Sequence, residues 1–284
     1  MIISVASGKG GTGKTTVAVN LALSIIQNVR FLDCDVEEPN AHLFLKPKIQ
    51  KTEPVNIPVP VVDETKCNYC GKCSEICEYH AIAVLPKSVM VFEQLCHGCG
   101  GCVILCPEKA IKEKNRKIGI IREGICKNEI KFIDGLLNIS EPMSPPIIKA
   151  VKKRAEEQNS KRAEVVTIID APPGTSCPVI ESIKGSDYCI LVTEPTPFGL
   201  NDLILAVEVL RKLKIPFGVA INRSDIGDEE VDKYCHKENI PILMKIPFDR
   251  KIAEAYSKGI PLVENLPEYK RHFQELFTKI KNSL

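Results

Sequence analysis

The chain has 284 residues, of which 44% are hydrophobic and 26% are charged, so it is long enough to bury a large core. Its formal net charge of +2 implies no broad basic surface, so neither nucleic acid nor an anionic membrane is favoured as the main partner. No signal-peptide pattern opens the sequence and no apolar run approaches membrane-spanning length, which predicts a cytoplasmic protein. Thirteen cysteines are the unusual feature. Without an export signal, their close spacing favours metal binding over disulfides.

The first predicted elements are a strand over residues 2–7, a helix over residues 14–27 and a strand over residues 29–33. Four prolines in residues 46–62 predict an extended linker in that region. A cysteine-rich stretch follows from about residue 63 to residue 113. A second irregular stretch is predicted to run to Pro146.

Strands and helices alternate again in the second half of the chain, where apolar strands are predicted at Val165–Asp170, Tyr188–Thr193, Phe217–Asn222 and Ile242–Ile246. Helices are predicted over residues 176–184, 199–214 and 229–238, and two more at the C-terminus. Strands that are apolar on both faces and alternate with helices predict an α/β fold with a doubly wound, mostly parallel sheet. We expect one discontinuous domain, residues 1–56 and 115–284, with a small domain inserted at residues 57–114.

A phosphate-binding pattern lies between the first predicted strand and helix. Residues 8–15 match Gly-x-x-x-x-Gly-Lys-[Ser/Thr]. The glycines allow backbone N–H groups to surround phosphates, and the helix N-terminus adds partial positive charge. Lys14 is expected to reach the β- and γ-phosphates, and Thr15 to ligate Mg²⁺. The predicted nucleotide-binding residues are Gly8, Lys9, Gly10, Gly11, Thr12, Gly13, Lys14, Thr15, Thr16 and Asn222.

Three carboxylates end predicted strands at the edge where a nucleotide would bind. Asp33 and Asp35 close the second strand, and Asp170 closes Val-Val-Thr-Ile-Ile-Asp, a Walker B pattern. The carboxyl ends of parallel strands meet at one edge of the sheet, so these side chains are expected near the phosphates. We predict a Mg²⁺ site formed by Thr15, Asp170 and Asp33.

Lys9 adds a second lysine to the phosphate loop, which therefore resembles the deviant Walker A pattern of the MinD, ParA and nitrogenase iron-protein superfamily. The resemblance implies that Lys9 reaches the partner's nucleotide across a dimer, and that Lys9, Lys14 and Asp35 are catalytic. It also implies that Asp35 orients the attacking water and that Asn222, at the end of Gly-Val-Ala-Ile-Asn, binds adenine. A solvated surface lysine and a simple strand-end cap are the alternatives for Lys9 and Asn222.

Two cysteine runs have regular spacing, Cys67-x2-Cys70-x2-Cys73-x3-Cys77 and Cys96-x2-Cys99-x2-Cys102-x3-Cys106. Both follow the bacterial ferredoxin spacing for [4Fe–4S] clusters, in which the fourth cysteine of each run ligates the other cluster. Pro107 follows the second run, whereas Glu78 follows the first. Structural zinc is the alternative. The predicted ligands are Cys67, Cys70, Cys73 and Cys106 for cluster 1, and Cys77, Cys96, Cys99 and Cys102 for cluster 2.

The other five cysteines lie outside these runs. Cys34, Cys189 and Cys235 are expected to be small core residues. Cys126 lies in the second irregular stretch, and its role is left open. Cys177 follows Asp170 at an offset similar to that of a cluster-ligating cysteine in the nitrogenase iron protein. The alternative for Cys177 is a buried thiol at the start of a helix.

Taken together, the sequence resembles the MinD/Mrp-superfamily ATPases with an inserted ferredoxin domain. The resemblance implies ATP, Mg²⁺ and two [4Fe–4S] clusters, with a dimer switch coupled to electron transfer or to cluster handling. A MinD-like switch with structural clusters is the alternative. The expected partners are a second copy or a paralogue, and a redox or iron–sulfur protein. The C-terminal residues 268–284 fit a helix packed on the sheet better than a membrane-binding helix.

Overall fold

The computed structural model describes residues 1–158 and 165–284. Its strands are β1 (Ile2–Ala6), β2 (Asn28–Asp33), β3 (Lys48–Val62), β4 (Ile82–Leu85), β5 (Ser88–Val91), β6 (Ile111–Ile125), β7 (Lys131–Leu137), β8 (Val165–Asp170), β9 (Tyr188–Thr193), β10 (Phe217–Asn222) and β11 (Ile242–Ile246). Within these residues, the main sheet has the order β11-β10-β9-β1-β8-β2-β7-β6-β3, and β4 and β5 pair separately. The strands from β11 to β7 are parallel, whereas β6 and β3 are antiparallel to their neighbours.

The described residues form the helices α1 (Lys14–Ser24), α2 (Ala41–Leu45), α3 (Lys72–Glu75), α4 (Gly101–Ile104), α5 (Pro145–Glu157), α6 (Cys177–Ile183), α7 (Pro197–Leu213), α8 (Glu230–Lys237), α9 (Arg250–Ser257), α10 (Leu262–Asn265) and α11 (Glu268–Ser283). The short helices α3 and α4 lie in the cysteine-rich stretch, whereas other helices cover both faces of the parallel part of the sheet. One core lies between the sheet and α1, α10 and α11, and a second lies under α6, α7 and α8. The strands buried on both faces are mostly apolar, and the prediction of an α/β fold with a mostly parallel sheet is confirmed.

The linker predicted for residues 46–62 is wrong, because most of this segment is the long strand β3. Val55, Ile57 and Val59 are buried in alternation, and they face a third core that includes residues of α5. Prolines are tolerated here because β3 is the last strand of the sheet and one of its sides has no ladder to complete. The period-two alternation was therefore a better signal than the proline count.

The second stretch predicted to be irregular also contains strands. β6 pairs with β3 from Ile111 to Ile125 and continues the sheet, and β7 connects that pair to β2. We call the β3–β6 hairpin the arm. The predicted domain boundaries, residues 57 and 114, fall within the two strands of the arm. The cysteine segment, residues 63–110, connects the two strands at the far end of the arm.

The C-terminal helix α11 packs on the body of the protein, as predicted. Phe273, Leu276 and Ile280 are buried on its inner face, and they contact the core that also contains α1. Within the described ranges, none of the helices combines the length and the apolar character needed to cross a bilayer.

Candidate functional site

The phosphate loop, residues 8–15, joins β1 to α1 at the carboxyl edge of the sheet. Gly13 has φ 93°, a left-handed conformation that favours glycine. The loop is also packed too closely for side chains at two positions. A Cβ on Gly8 would lie 2.2 Å from the Asp202 carbonyl oxygen, and one on Gly13 would lie 2.4 Å from Asn222 Nδ2. Glycine at these positions therefore sets the shape of the loop.

Lys14, Thr15, Asp35 and Asp170 converge at the base of this loop. Lys14 Nζ lies 3.2 Å from Asp170 Oδ1 and 3.6 Å from Asp35 Oδ2. The Thr15 hydroxyl donates a hydrogen bond of 2.6 Å to Asp170 Oδ2. These side chains come from α1, β8 and the loop after β2, so the fold brings together four residues that the sequence predicted for one site. A hydroxyl paired with a carboxylate is a donor set that suits Mg²⁺ beside phosphates.

Burial and neighbouring charges shift the pKa values of Asp35 and Lys14. Burial raises the pKa of Asp35 to about 6, although Lys14 acts in the opposite direction. Burial also lowers the pKa of Lys14, but the carboxylates of Asp170 and Asp35 outweigh it and the pKa lies above its ordinary value. Lys14 therefore keeps its positive charge where the phosphates of a nucleotide would lie.

Asp33 occupies a different environment from Asp35. Its side chain is fully buried, and its two oxygens accept hydrogen bonds of 3.1 Å each from the backbone N–H groups of Asp35 and Ala41. Burial raises its pKa well above the ordinary value, and the nearby Asp170 adds to the effect. These contacts hold the loop between β2 and α2. The role of Asp33 as a Mg²⁺ ligand stays a prediction.

Lys9 lies at the rim of the loop and is about one-third exposed. Its Nζ is 3.8 Å from Glu194 Oε2, and the other Glu194 oxygen is 2.8 Å from Arg223 Nη1. Glu194 directly follows β9, so the two cations are held by one carboxylate at the edge of the sheet. A lysine with one weak, long contact keeps the freedom to bind elsewhere.

The loop opens into a cleft of about 450 Å³. The lining includes the predicted residues Lys14, Thr15, Thr16 and Asp35, together with Asn222. Asn222 donates from Nδ2 to the Thr12 carbonyl oxygen at 2.9 Å, so this amide supports the loop. Its predicted contact with adenine stays a prediction.

The sequence prediction missed the apolar wall of this cleft. Pro247, Phe248, Ile252 and Tyr256 line it. Pro247 and Phe248 directly follow β11, and Ile252 and Tyr256 belong to α9, whose first turn is capped by the Asp249 side chain. The signal was available, because a segment that directly follows a parallel strand lies at the ligand-binding edge. An apolar wall opposite a phosphate loop suits a planar base.

The cysteine segment contains two further cavities, and each is lined by four of the eight cysteines. The first cavity is lined by Cys67, Cys70, Cys73 and Cys106. The second cavity is lined by Cys77, Cys96, Cys99 and Cys102. Each set takes three cysteines from one run and the fourth from the other, which is the grouping expected for the two clusters. Both cavities border the arm, the second through Pro58, Pro60 and Glu113 and the first through Val62 and Ile111.

Backbone N–H groups point at four of the thiols. Tyr69 and Gly98 donate to the first cysteine of each run, Cys67 and Cys96, at 3.4 Å. Ala81 and Ala110 donate to the fourth cysteine of each run at 3.3 Å. Hydrogen bonds to sulfur stabilise thiolates and are a normal part of an iron–sulfur site. The residues present therefore fit the predicted clusters.

The remaining five cysteines differ in their burial. Cys34, Cys189 and Cys235 are buried in the cores, as predicted, and Cys126 is buried as well. Cys177 is exposed at the start of α6, so the expectation of a buried thiol there is wrong.

The chain is similar to one protein family and to several individual proteins. The CobQ/CobB/MinD/ParA nucleotide-binding domain family matches residues 3–262. The chain is 34% identical to MJ0579, an uncharacterised protein of Methanocaldococcus jannaschii, over 91% of this chain and 90% of that protein. It is 28% identical to the iron-sulfur cluster carrier protein of Pyrococcus horikoshii, over 99% of this chain and 86% of that protein. The solved structure of the cell division ATPase MinD of Pyrococcus furiosus has a TM-score of 0.60 at 22% identity, covers 100% of this chain and 99% of its own, and shares the fold.

Proposed function

Because the chain belongs to the CobQ/CobB/MinD/ParA nucleotide-binding family and is an ATPase, we propose that ATP controls a dimer that carries two [4Fe–4S] clusters per chain. The prediction of a MinD/ParA/Mrp-type ATPase is confirmed, and the relationship to an iron-sulfur cluster carrier supports a function connected with clusters. The ferredoxin-like character of the inserted segment, the cluster number and electron transfer belong to the proposal.

The nucleotide site supports hydrolysis in a direct way. In this proposal the phosphate loop and Lys14 would bind the β- and γ-phosphates, and Thr15 and Asp170 would hold Mg²⁺, which would supply positive charge beside those phosphates. Asp35 orients the water that forms the new P–O bond while the bond to the ADP oxygen breaks. The inorganic phosphate takes up the oxygen of that water, and ADP leaves. Phe248 and Tyr256 contact the base in this arrangement.

In this proposal, Lys9 makes ATP hydrolysis depend on dimerisation. It is partly exposed at the rim, and its contact with Glu194 is long. In the proposed dimer it leaves Glu194 and binds the phosphates held by the partner subunit. A cation brought to the γ-phosphate from a second subunit stabilises the charge that develops there.

The observation that carries the proposal is the pair of cavities lined by four cysteines each. The cysteine segment buries only three apolar side chains, Ala81, Ile82 and Ala110, all within a stretch that the structure describes completely. A segment with so little core needs metal to hold its fold. Eight thiolates in two sets of four fit two cubanes.

A row of charged residues connects the nucleotide site with the arm. Asp170 of β8 pairs in register with Asp33 of β2, and Asp33 pairs with Asp134 of β7. Asp134 pairs with Arg122 of β6, and the Arg122 Nε donates to it at 2.9 Å. The bond to Asp134 raises the pKa of Arg122, and the charge of Asp33 contributes. We propose that this row transmits the ATP state to the arm, and thus to the clusters.

Anaerobic purification followed by iron analysis tests the cluster assignment. We expect about eight iron atoms per chain and two cluster signals in electron paramagnetic resonance. Cys106→Ser should disturb the signal that Cys67→Ser also disturbs, although Cys106 belongs to the other run. Cys126→Ser is the control and should retain all the iron. Zinc in place of iron, or a Cys106→Ser variant that matches Cys102→Ser, would contradict the assignment.

A second candidate function is a nucleotide-dependent switch in which the clusters only hold the fold. The small apolar core of the cysteine segment favours this alternative as well, because a cluster that only stabilises the fold needs no redox activity. The two functions differ in one measurable property. If the clusters transfer electrons under ATP control, their reduction potentials must depend on the bound nucleotide.

A further inference from the structure

One buried carboxylate, that of Glu194, is shared by two cations that come from different loops. Only 10% of the Glu194 side chain is exposed. One of its oxygens lies 2.8 Å from Arg223 Nη1, and the other lies 3.8 Å from Lys9 Nζ. A buried carboxylate needs compensating positive charge, so the charge that one cation does not supply must come from the other.

The strand order explains why these three residues meet. β10, β9 and β1 are neighbouring parallel strands, and β9 lies in the middle. Arg223 directly follows β10, Glu194 directly follows β9, and Lys9 lies three residues after the end of β1. Because the carboxyl ends of parallel strands meet at one edge of the sheet, the carboxylate lies between the two cations.

The backbone fixes Arg223 beside Glu194. The loop after β10 packs against the loop after β9, where the Asp228 N–H donates to the Pro195 carbonyl oxygen at 3.2 Å. A Cβ on Gly227 would overlap that same oxygen, so a larger residue does not fit there. Arg223 itself has φ 51°, a left-handed conformation that is unfavourable for a residue other than glycine. The fold thus keeps Arg223 beside the carboxylate in spite of this strain.

Lys9 is held less closely than Arg223. The two cations are comparably exposed to solvent, so the difference between them lies in their distances to Glu194. Coulomb attraction weakens with distance, and at 3.8 Å Lys9 lies beyond hydrogen-bond range. The Arg223 contact is an ion pair that is not aligned as a hydrogen bond, but it is the shorter of the two. Arg223 therefore supplies the larger part of the charge that Glu194 needs.

We propose that Arg223 is a positioning residue for Lys9, because it neutralises Glu194 and so leaves Lys9 available to the nucleotide of the partner subunit. This inference rests on the proposed role of Lys9 in the ATP-bound dimer. Without Arg223, Lys9 would have to compensate the buried carboxylate and would move into close contact with it. Lys9 would then stay within its own subunit, and the dimer would form less readily.

A direct contact between Arg223 and the nucleotide is the competing explanation, because Arg223 also lines the cleft. The two explanations differ in what Glu194 contributes. If Arg223 binds phosphates, its removal lowers the affinity for ATP whether or not Glu194 is charged. If Arg223 acts through Glu194, it becomes unnecessary once that carboxylate is replaced by a neutral amide.

The variants Arg223→Met and Glu194→Gln, and the double variant, separate these explanations. For each, we would measure ATP affinity at protein concentrations that keep the chains monomeric, and then turnover and dimerisation. Arg223→Met should bind ATP normally, but its turnover should fall about five- to tenfold and its dimers should need correspondingly more protein. The double variant should recover the turnover of the unaltered protein, because neither charge of the pair remains.

Two further variants test whether the charge of Arg223 is what matters. Arg223→Lys keeps that charge and should retain most of the turnover. Arg211→Met is the matched control, because Arg211 of α7 forms a comparably exposed ion pair of 2.9 Å with Glu238. It should change neither turnover nor dimerisation.

The outcomes separate this inference from the function on which it rests. If ATP produces no dimers of the unaltered protein, or if Lys9→Ala dimerises equally well, the proposed function itself is wrong. If the unaltered protein dimerises through Lys9 but Arg223→Met behaves like Arg211→Met, the role of Arg223 alone is overturned. A double variant as slow as Arg223→Met, a reduced ATP affinity in Arg223→Met, or an Arg223→Lys variant no more active than Arg223→Met would also overturn it.

Discussion

The ATPase body and the cysteine segment differ in how much apolar surface they bury. The body has three apolar cores, and the side chains predicted to be catalytic are in contact, with Lys14 held between Asp35 and Asp170. The cysteine segment has three buried apolar residues, and its centre consists of two cavities surrounded by thiols. We therefore expect the body to fold without its ligand and the segment to need bound metal to complete its fold.

The two regions also differ in how they are connected to the rest of the molecule. The body is one continuous sheet, whereas the segment is connected through the two strands of the arm. A paired hairpin is stiffer than the unpaired, extended linker that the prolines predicted. Movement at the base of the arm is therefore expected to carry the clusters as a unit.

The largest effect is expected from removing iron. Anaerobic chelation should unfold residues 63–110, because their own apolar burial cannot compensate for the chain entropy. ATP binding by the body should persist. Hydrogen exchange measured by mass spectrometry should show lost protection in this segment and unchanged protection in β1, β8 and β9. Equal protection with and without iron would mean that the segment folds without clusters.

The Lys9→Ala substitution tests dimerisation and turnover of the ATPase body and leaves the cysteine segment unchanged. The variant should still bind ATP, because Lys14 and the loop backbone remain, but its turnover should fall about 10³-fold and ATP should no longer produce dimers. Steady-state hydrolysis and sedimentation measure the two effects. Lys212→Ala, an exposed lysine on α7, is the control. Turnover in Lys9→Ala equal to that of this control would refute the role across the dimer.

Arg122→Met tests the connection between the regions. It leaves the buried Asp134 without its partner, which should reduce the free energy of unfolding by about 3–5 kcal/mol. The double variant Arg122→Met with Asp134→Leu should recover much of that stability. Neither variant should show a difference in cluster potential between ATP and ADP. Preserved nucleotide dependence in the stable double variant would mean that another path carries the signal.

Glu194→Gln should have the smallest effect of the set. It weakens the contact that holds Lys9 within its own subunit, so dimerisation and turnover should rise about two- to fivefold. The measurement is the protein concentration at which half the ATP-bound chains are dimeric. A decrease in turnover would indicate that Glu194 acts in catalysis rather than in holding Lys9.

The phosphate loop and the cysteine runs were easier to predict from the sequence than the strands of the arm. The phosphate loop and the cysteine runs follow fixed spacings, because phosphate and cubane geometry allow few alternatives. The loop residues Lys14 and Thr15 accordingly lie where they were expected. The role of Asp33 in binding backbone N–H groups depends on its full burial, which no local pattern reveals.

The arm was missed because its strand pairing is not local. Pro54, Pro58 and Pro60 normally interrupt strands, and only an edge position allows them. That position is set by pairing with β6, which lies on the other side of the cysteine segment in the sequence. The ion pair of Arg122 with Asp134 depends on the pairing of β6 with β7. No local sequence pattern predicts it.

The central claim is that the ATP state of the body reaches the clusters of the segment. The direct measurement is a redox titration of both clusters in Asp35→Ala, which should retain ATP, compared with the same protein bound to ADP. We expect at least one potential to differ between the two nucleotides. Identical potentials, in a protein that binds both nucleotides and retains all its iron, would contradict the claim and favour clusters that only hold the fold.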